Sequence, residues 1–359
     1  MLFKQKILHV LFISFPLISQ AQSVGLDEQI NNAFMPFATW WEDLILSTVN
    51  IVGYQIPIIL ILLLLGALFF TVYFGFVNIK HFPTAIQVVR GKYDEIETQS
   101  PITNTNVHEI EGDIVDTIKD EAHHGAVNHF QALATAVSGT VGLGNIAMVA
   151  VAISIGGPGA TFWMIIAGLL GMSTKFVECT LGVKYRDIDK EGNVFGGPMY
   201  YLSRGLKEKG FVTLGKILAG IFALLCVGAS FGGGNAFQTN QAAAQIISRF
   251  GLEGASTGSM IGVIFAILVG IVIIGGIKRI AKVTEKVVPF MAVLYVAASL
   301  FIIFSNFSFI DDAISLIFRE AFTPRATITG GFIGVMIQGF RRAAFSNEAG
   351  AGSAAIAHS

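Results

Sequence analysis

The chain has 359 residues, 53% of them hydrophobic and 13% charged, with a mean hydropathy of +0.68. Soluble domains carry about 25% charged residues, so this composition excludes an ordinary soluble globule and points to lipid. The formal net charge of −1 and a pI near 6.7 leave no basic face to neutralise phosphates, which excludes nucleic acid as a partner.

In chain order, Lys4 and Lys6 precede an apolar run, Ile7–Ile18, that is short for a span of roughly 20 residues. Ser19-Gln20-Ala21 then offers a small-x-small cleavage site. Residues 1–22 are expected to be a signal peptide, the alternative being an uncleaved short anchor. Residues 23–50 form a mildly amphipathic segment in which Trp40 and Trp41 stand beside Glu42 and Asp43. Paired tryptophans suit the headgroup layer, so the segment is expected at the membrane interface. The first long apolar span is Ile51–Val77, and a polar stretch, 79–127, follows. Within it, residues 94–121 hold nine acidic side chains and one base, Lys119, the composition of a solvated insertion. His123, His124 and His129 read as a surface cluster, because adjacent histidines cannot share the face a zinc site needs.

Six further apolar segments lie at about 128–155, 159–182, 214–247, 259–277, 287–306 and 327–357. Those at 214–247 and 327–357 exceed one bilayer thickness, which implies strong tilt, extension into water, or an interruption. Cys179 and Cys226 sit in apolar runs and read as buried thiols. Loops 79–127, 183–213 and 278–286 carry 14 Lys and Arg residues. The loops on the other side carry only Arg249, Arg319 and Arg325, so the positive-inside rule makes the first set cytoplasmic. Removal of a signal peptide, leaving the mature N-terminus outside, gives the same orientation, that of a multi-pass protein of a bacterial inner membrane.

The sharpest local signal is Ser138-Gly139-Thr140-Val141-Gly142-Leu143-Gly144-Asn145-Ile146-Ala147 inside an apolar span. Glycine costs a helix about 1 kcal/mol relative to alanine, and backbone unwound in lipid is tolerated only where it lines a cavity or is buried in protein. Freed N–H groups at the start of a second half-helix can hold a carboxylate. Freed carbonyls at the end of the first half-helix can hold Na⁺. The pattern predicts a mid-membrane binding site; the competing reading is close helix packing at the glycines. There is no preceding strand or βαβ unit, which rejects a dinucleotide fingerprint.

A second break is expected in the last segment, where Arg341, Arg342 and Glu348 fall among apolar and small residues. Charges inside a membrane are expensive unless they pair or face water; the bland alternative ends the helix before Arg341. A third cluster, Gly232-Gly233-Gly234-Asn235-Ala236-Phe237-Gln238-Thr239, places Asn235 and Gln238 at i, i+3. Those amides either glue helices together or point into one cavity, and spacing alone leaves both open. No nucleophile–base pair or metal triad occurs in the spans, which argues against an enzyme.

Several long motifs carry a resemblance: Gly139–Ala147, Ile155-Gly156-Gly157-Pro158-Gly159, Thr174–Arg186, Gly196-Gly197-Pro198-Met199-Tyr200-Tyr201 and Phe345-Ser346-Asn347-Glu348-Ala349-Gly350. From Ile51 onward, the acidic insertion excepted, the chain resembles the alanine/glycine:cation symporter (sodium:alanine symporter) family. The resemblance implies an all-α, polytopic transporter of the LeuT-type inverted-repeat fold. It implies Na⁺-coupled, or H⁺-coupled, symport of a small neutral amino acid such as alanine or glycine. It makes 51–78 an extra helix and 128–359 core helices one to six, with helices one and six interrupted. Carried over by position, Gly142, Leu143, Gly144 and Asn145, with Gln238, would bind substrate, and Ala136, Val137 and Gly139 would offer carbonyls to Na⁺. Thr140, Asn235, Arg342, Ser346, Asn347 and Glu348 would have gating or structural work. The implied partners are the amino acid, Na⁺ and the lipid bilayer, with the protein a monomer. Two departures stand out: Arg342-Ala343-Ala344-Phe345 lacks a glycine usual in the family, and Met148 replaces a residue that is often glycine. The chain stops at about core helix six, so the second repeat is incomplete and the expected fold is truncated. The alternative function is that of a non-transporting fragment or scaffold of the same family.

Overall fold

The computed structural model describes residues 26–51, 53–93, 127–189, 194–252, 254, 256–322 and 331–359. The expected signal peptide, the acidic insertion 94–121, and His123 and His124 lie outside the described residues. The chain divides into two compact units at Ser47/Thr48. In the first, helix α1 (Leu26–Ile45) carries Phe34, Phe37, Trp40 and Trp41, with ring centroids 5.4 Å apart for Phe34–Phe37 and 5.9 Å for Phe37–Trp40. The spacing puts these rings on one face, and an exposed aromatic face is what an interfacial helix requires.

The second unit opens with a hairpin, β1 (Thr48–Ile51) paired antiparallel with β2 (Tyr54–Pro57). Gly53, at φ +85°, makes the turn and donates its N–H to Asn50 Oδ1 at 2.9 Å. The expected span Ile51–Val77 is therefore corrected. Its helical part, α2, runs only over Ile58–Tyr73, 16 residues or roughly 24 Å of helix. Pro57 ends the hairpin and caps the helix at one end, and Gly75 and Phe76 in the left-handed region close it at the other. Short helices α3 (Val77–Lys80) and α4 (Phe82–Val89) follow.

Next come α5 (His129–Thr140), α6 (Leu143–Gly156) and α7 (Gly159–Lys184). A second small hairpin, β3 (Asp187–Ile188) with β4 (Val194–Phe195), leads to the amphipathic α8 (Pro198–Glu208). Helices α9 (Val212–Ala229) and α10 (Phe237–Phe250) join through a π-helical segment, Ser230–Ala236, into one stretch of 39 residues. Of the readings open for this long segment, the structure has the continuous helix. Then come α11 (Thr257–Ile273) and α12 (Gly276–Ser305). Here too an expectation is corrected: the basic run Lys278–Lys286 is not a loop but the first turns of α12. Amphipathic α13 (Ile310–Phe322), which the apolar segments did not foretell, precedes α14 (Gly331–Asn347) and α15 (Ser353–His358).

Ala152 of α6, Ala160 of α7 and Val335 of α14 form the buried centre, walled by Trp163 and Met164. Trp163 Nε1 donates to the Ala321 carbonyl at 3.0 Å, which ties α13 to α7. Elsewhere the apolar side chains point outward, Leu224 at 73% exposure and Phe290 at 70%, where a soluble protein would bury them. Four helical stretches, 129–156, 159–184, 212–250 and 276–305, are long and apolar enough to cross a membrane, with α2 and α11 shorter. This is a mostly helical membrane protein with several spans, interrupted by two small hairpins. Cys179 and Cys226 are half-buried free thiols, less enclosed than their apolar setting suggested.

Candidate functional site

Both expected breaks are present. At the first, α5 ends at Thr140, Val141 is extended (φ −87°, ψ 107°), and α6 restarts at Leu143. Gly142, at φ −152° and ψ −146°, lies between the two helices. The amides at the start of α6 have side-chain partners. Gly142 N–H donates to Asn145 Oδ1 at 3.3 Å, and Leu143 N–H donates to Gln238 Oε1 at 3.1 Å. The Gln238 carboxamide lies over Gly142, where an added Cβ would come within 3.1 Å of both its Oε1 and its Nε2. Gly142, Leu143, Asn145 and Gln238 are thus in one cluster. It sits at the positive end of α6, whose terminal N–H groups favour an anionic oxygen.

The carbonyls expected for a cation are the last of α5. Ala136 O accepts from Thr140 Oγ1 at 2.9 Å, and Val137 O accepts from the Val141 N–H at 2.7 Å. Gly139 is exposed, with open space where a Cβ would stand. Helix α5 is anchored to α12 by Gln131 Nε2, which donates to Glu285 Oε2 at 2.7 Å, and by the Thr135 and Thr284 hydroxyls, 3.1 Å apart.

The second break spans Glu348–Gly352, between α14 and α15. Glu348 (φ +49°), Gly350 (φ +92°) and Gly352 (φ +81°) are all left-handed, a conformation that ends an α-helix and strains a residue with a Cβ. Asn347 Oδ1 accepts from the Ala349 N–H at 2.9 Å, and Glu348 Oε2 accepts from Ser353 Oγ at 2.6 Å. The two breaks are neighbours. Gly144 is buried against the end of α14, and a Cβ there would lie 3.1 Å from the Ser346 Cα and 3.3 Å from the Phe345 ring. Phe345 also meets Phe237 edge-on, with ring centroids 6.1 Å apart, next to Gln238. Arg342 packs against α6, its Nη1 3.6 Å from Met148 Sδ, so the methionine at that position has a partner.

Asn235 is not brought to the break: it is exposed and accepts from Thr239 Oγ1 at 3.1 Å. The shared Asn235–Gln238 face assumed α-helical winding. The segment is π-helical, with Phe237 N–H bonded to Gly232 O, and this shifts the phase. Sequence reasoning also gave no role to Glu178. This acidic side chain of α7 is buried and lies against the backbone of Gly350 and Gly352. An acidic residue in an apolar span was the signal that could have found it.

Comparison with known proteins identifies the family. The sodium:alanine symporter family model matches residues 39–359. The sodium/alanine symporter AgcS of Methanococcus maripaludis is 42% identical over 302 residues, 84% of this chain and 59% of that protein. A putative sodium/proton-dependent alanine carrier protein of Bacillus subtilis is 42% identical over 67% of this chain and 47% of its own length. A probable sodium/glutamine symporter of the same organism is 38% identical over 64% and 45% respectively. The chain therefore spans about half the length of the curated relatives it matches. These relatives are carriers, not enzymes, and the chain belongs to the sodium:alanine symporter family.

Proposed function

We propose that the protein takes part in cation-coupled symport of a small neutral amino acid, with Na⁺ as coupling ion and H⁺ as the alternative. The observation that carries this reading is the first break: backbone N–H groups at a helix start inside an apolar segment, held by the neutral oxygens of Asn145 and Gln238. An amino-acid carboxylate suits the same donors and adds the charge that the α6 terminus favours. The last carbonyls of α5, at Ala136, Val137 and Gly139, offer the hard oxygens that Na⁺ takes. Arg342, Ser346, Asn347 and Glu348 would have gating or structural work at the second break and Thr140 at the first; Asn235 would act away from the site. Relatives named for alanine and glutamine support a neutral amino acid, and both are named with sodium.

In a LeuT-type arrangement, α2 would be the extra helix, α5–α6 core helix one, α9–α10 helix three and α14–α15 helix six. Both interrupted helices would then line one mid-membrane site, as in transporters built from inverted repeats. Segments 79–127 and 183–213 and the basic first turns of α12, 278–286, would face the cytoplasm of a cell whose inner membrane holds the protein as a monomer. The test is uptake of labelled alanine or glycine by the intact gene product in proteoliposomes. Accumulation under an inward Na⁺ gradient is expected. Uptake indifferent to collapse of both the Na⁺ and the H⁺ gradients would refute coupled transport.

A further inference from the structure

Helix α7 runs along both halves of the second interrupted helix. Gly171, Lys175, Glu178 and Gly182 recur at spacings of four, three and four, so they form one stripe on α7. At the upper end a Cβ on Gly171 would stand 2.8 Å from Asn347 Nδ2 and 3.0 Å from the Ala349 side chain. At the lower end a Cβ on Gly182 would stand 2.8 Å from the Ala355 carbonyl oxygen, beyond the break. The stripe is therefore pressed against the chain just before and just after the turn Glu348–Gly352. Between those contacts sits Glu178, with its carboxyl facing the backbone of Gly350 and Gly352.

A carboxylate buried in an apolar helix costs several kcal/mol unless it is paired and hydrogen-bonded. Lys175 supplies the charge, but its Nζ stands 3.8 Å from Glu178 Oε2, longer than a good ionic hydrogen bond. Among the described residues, neither Lys175 Nζ nor Glu178 Oε2 has a hydrogen-bond partner. The groups facing Glu178 are Lys175 and Cys179 on its own helix, Tyr201 on α8, Glu348 at the turn, and the amides of Gly350 and Gly352. Of these, the two amides are the donors set by the left-handed turn, and alternating left-handed backbone aims successive N–H groups at one point, a concavity suited to an anion.

We propose that Glu178 is a positioning residue for the second break: its carboxylate receives the Gly350 and Gly352 amides and fixes the angle between α14 and α15. The positive charge of Lys175 lies beside that carboxylate, and the close contacts at Gly171 and Gly182 bring the turn within reach. This rests on the transport reading only where transport serves as a readout.

The test is hydrogen exchange across residues 348–352 in the intact gene product in nanodiscs, with uptake kinetics measured beside it. Glu178→Gln is expected to speed exchange at this turn at least about tenfold and leave the first break unchanged. It should lower the maximal uptake rate by a similar factor with little change in KM. Lys175→Met/Glu178→Gln, which removes both charges, is expected to recover thermal stability but not the protection of the turn. Unchanged exchange in Glu178→Gln, or full recovery of protection in the double variant, would overturn the proposal in favour of a plain structural ion pair. If Glu178→Gln does not fold, Glu178→Asp, a carboxylate withdrawn by one methylene, should show intermediate exchange, and wild-type protection there would overturn it equally. Absence of uptake in the wild type would refute the transport reading and leave the exchange result standing.

Discussion

Leu143 and Gln238 are 95 positions apart in sequence, yet the backbone N–H of one donates to the side-chain Oε1 of the other at 3.1 Å. The bond crosses from the first turn of α6 to the start of α10, so it joins the broken helix to the long one. A glycine-containing break leaves helix-terminal donors that must find partners in a medium without water. Gln238 meets one of those donors with a neutral oxygen that a carboxylate can replace.

That relationship fixes what changes at Gln238 should do. Gln238→Ala removes one hydrogen bond, worth about 0.5–1.5 kcal/mol net, and should raise the apparent KM for the amino acid by roughly tenfold at most, with a smaller change in maximal rate. Gln238→Glu places a fixed carboxylate beside the same amides, where it competes with the substrate's own. Its KM is expected to rise well beyond that of the alanine variant. Uptake kinetics of the two variants decide the matter, and equal KM values for both would mean that the Leu143 amide does not receive the substrate.

Both breaks were legible because glycines and polar residues interrupt apolar runs, a local signal that survives without tertiary information. Gly142–Asn145 and Ser346–Gly350 stood out on that ground, and the link from Gln238 to the first of them came with the family resemblance. The start of α2 was not legible. Ile51 and Ile56 of the hairpin run into the apolar stretch of the helix that follows, and the marks that separate it, Asn50, Gly53, Gln55 and Pro57, are single residues scattered among them. The basic run 278–286 misled for the opposite reason, since its charges suggested a loop although helix α12 simply continues through them. Glu178 was invisible in role because its partners, Gly350 and Gly352, are brought to it by helix packing across some 170 positions.

Gly144 tests whether the two breaks must touch. An added methyl would press on the Ser346 backbone at 3.1 Å, which cannot move aside as a flexible side chain can. Overpacking of this kind costs about 1–3 kcal/mol, so Gly144→Ala should lower the thermal midpoint in detergent and depress uptake. Gly168→Ala on α7, where open space surrounds the Cβ position, is the control. It should be neutral or slightly stabilising, because alanine is the better helix former by about 1 kcal/mol.

The short helix α2 is held to α7 by a buried polar contact. The Thr71 and Ser173 hydroxyls lie 3.0 Å apart at 1% and 0% exposure. Thr71→Val leaves Ser173 without that partner, and a buried unsatisfied hydroxyl costs about 1–3 kcal/mol. Ser173→Ala should cost less than this, because Thr71 Oγ1 keeps its bond to the Ala67 carbonyl at 2.7 Å. Thermal unfolding of both single variants and of Thr71→Val/Ser173→Ala closes a double-mutant cycle. The double variant should be more stable than the sum of the singles predicts, and strict additivity would show the contact to be energetically idle.

The proposed orientation can be tested on one helix. Val212–Phe250 is a continuous stretch of 39 residues, roughly 58 Å at 1.5 Å per residue, ample to cross a hydrocarbon layer of about 30 Å. Lys207 lies just before it and Arg249 near its far end, both exposed. By the positive-inside rule, the excess of Lys and Arg in 183–213 predicts Lys207 inside the cell and Arg249 outside. With Cys179 and Cys226 first changed to alanine, Arg249→Cys should react with a membrane-impermeant maleimide in intact cells. Lys207→Cys should react only after the membrane is opened. The reverse pattern would invert the topology. It would also put the start of α5 outside, so that substrate approaching the first break from outside would come along α5 and not along α6.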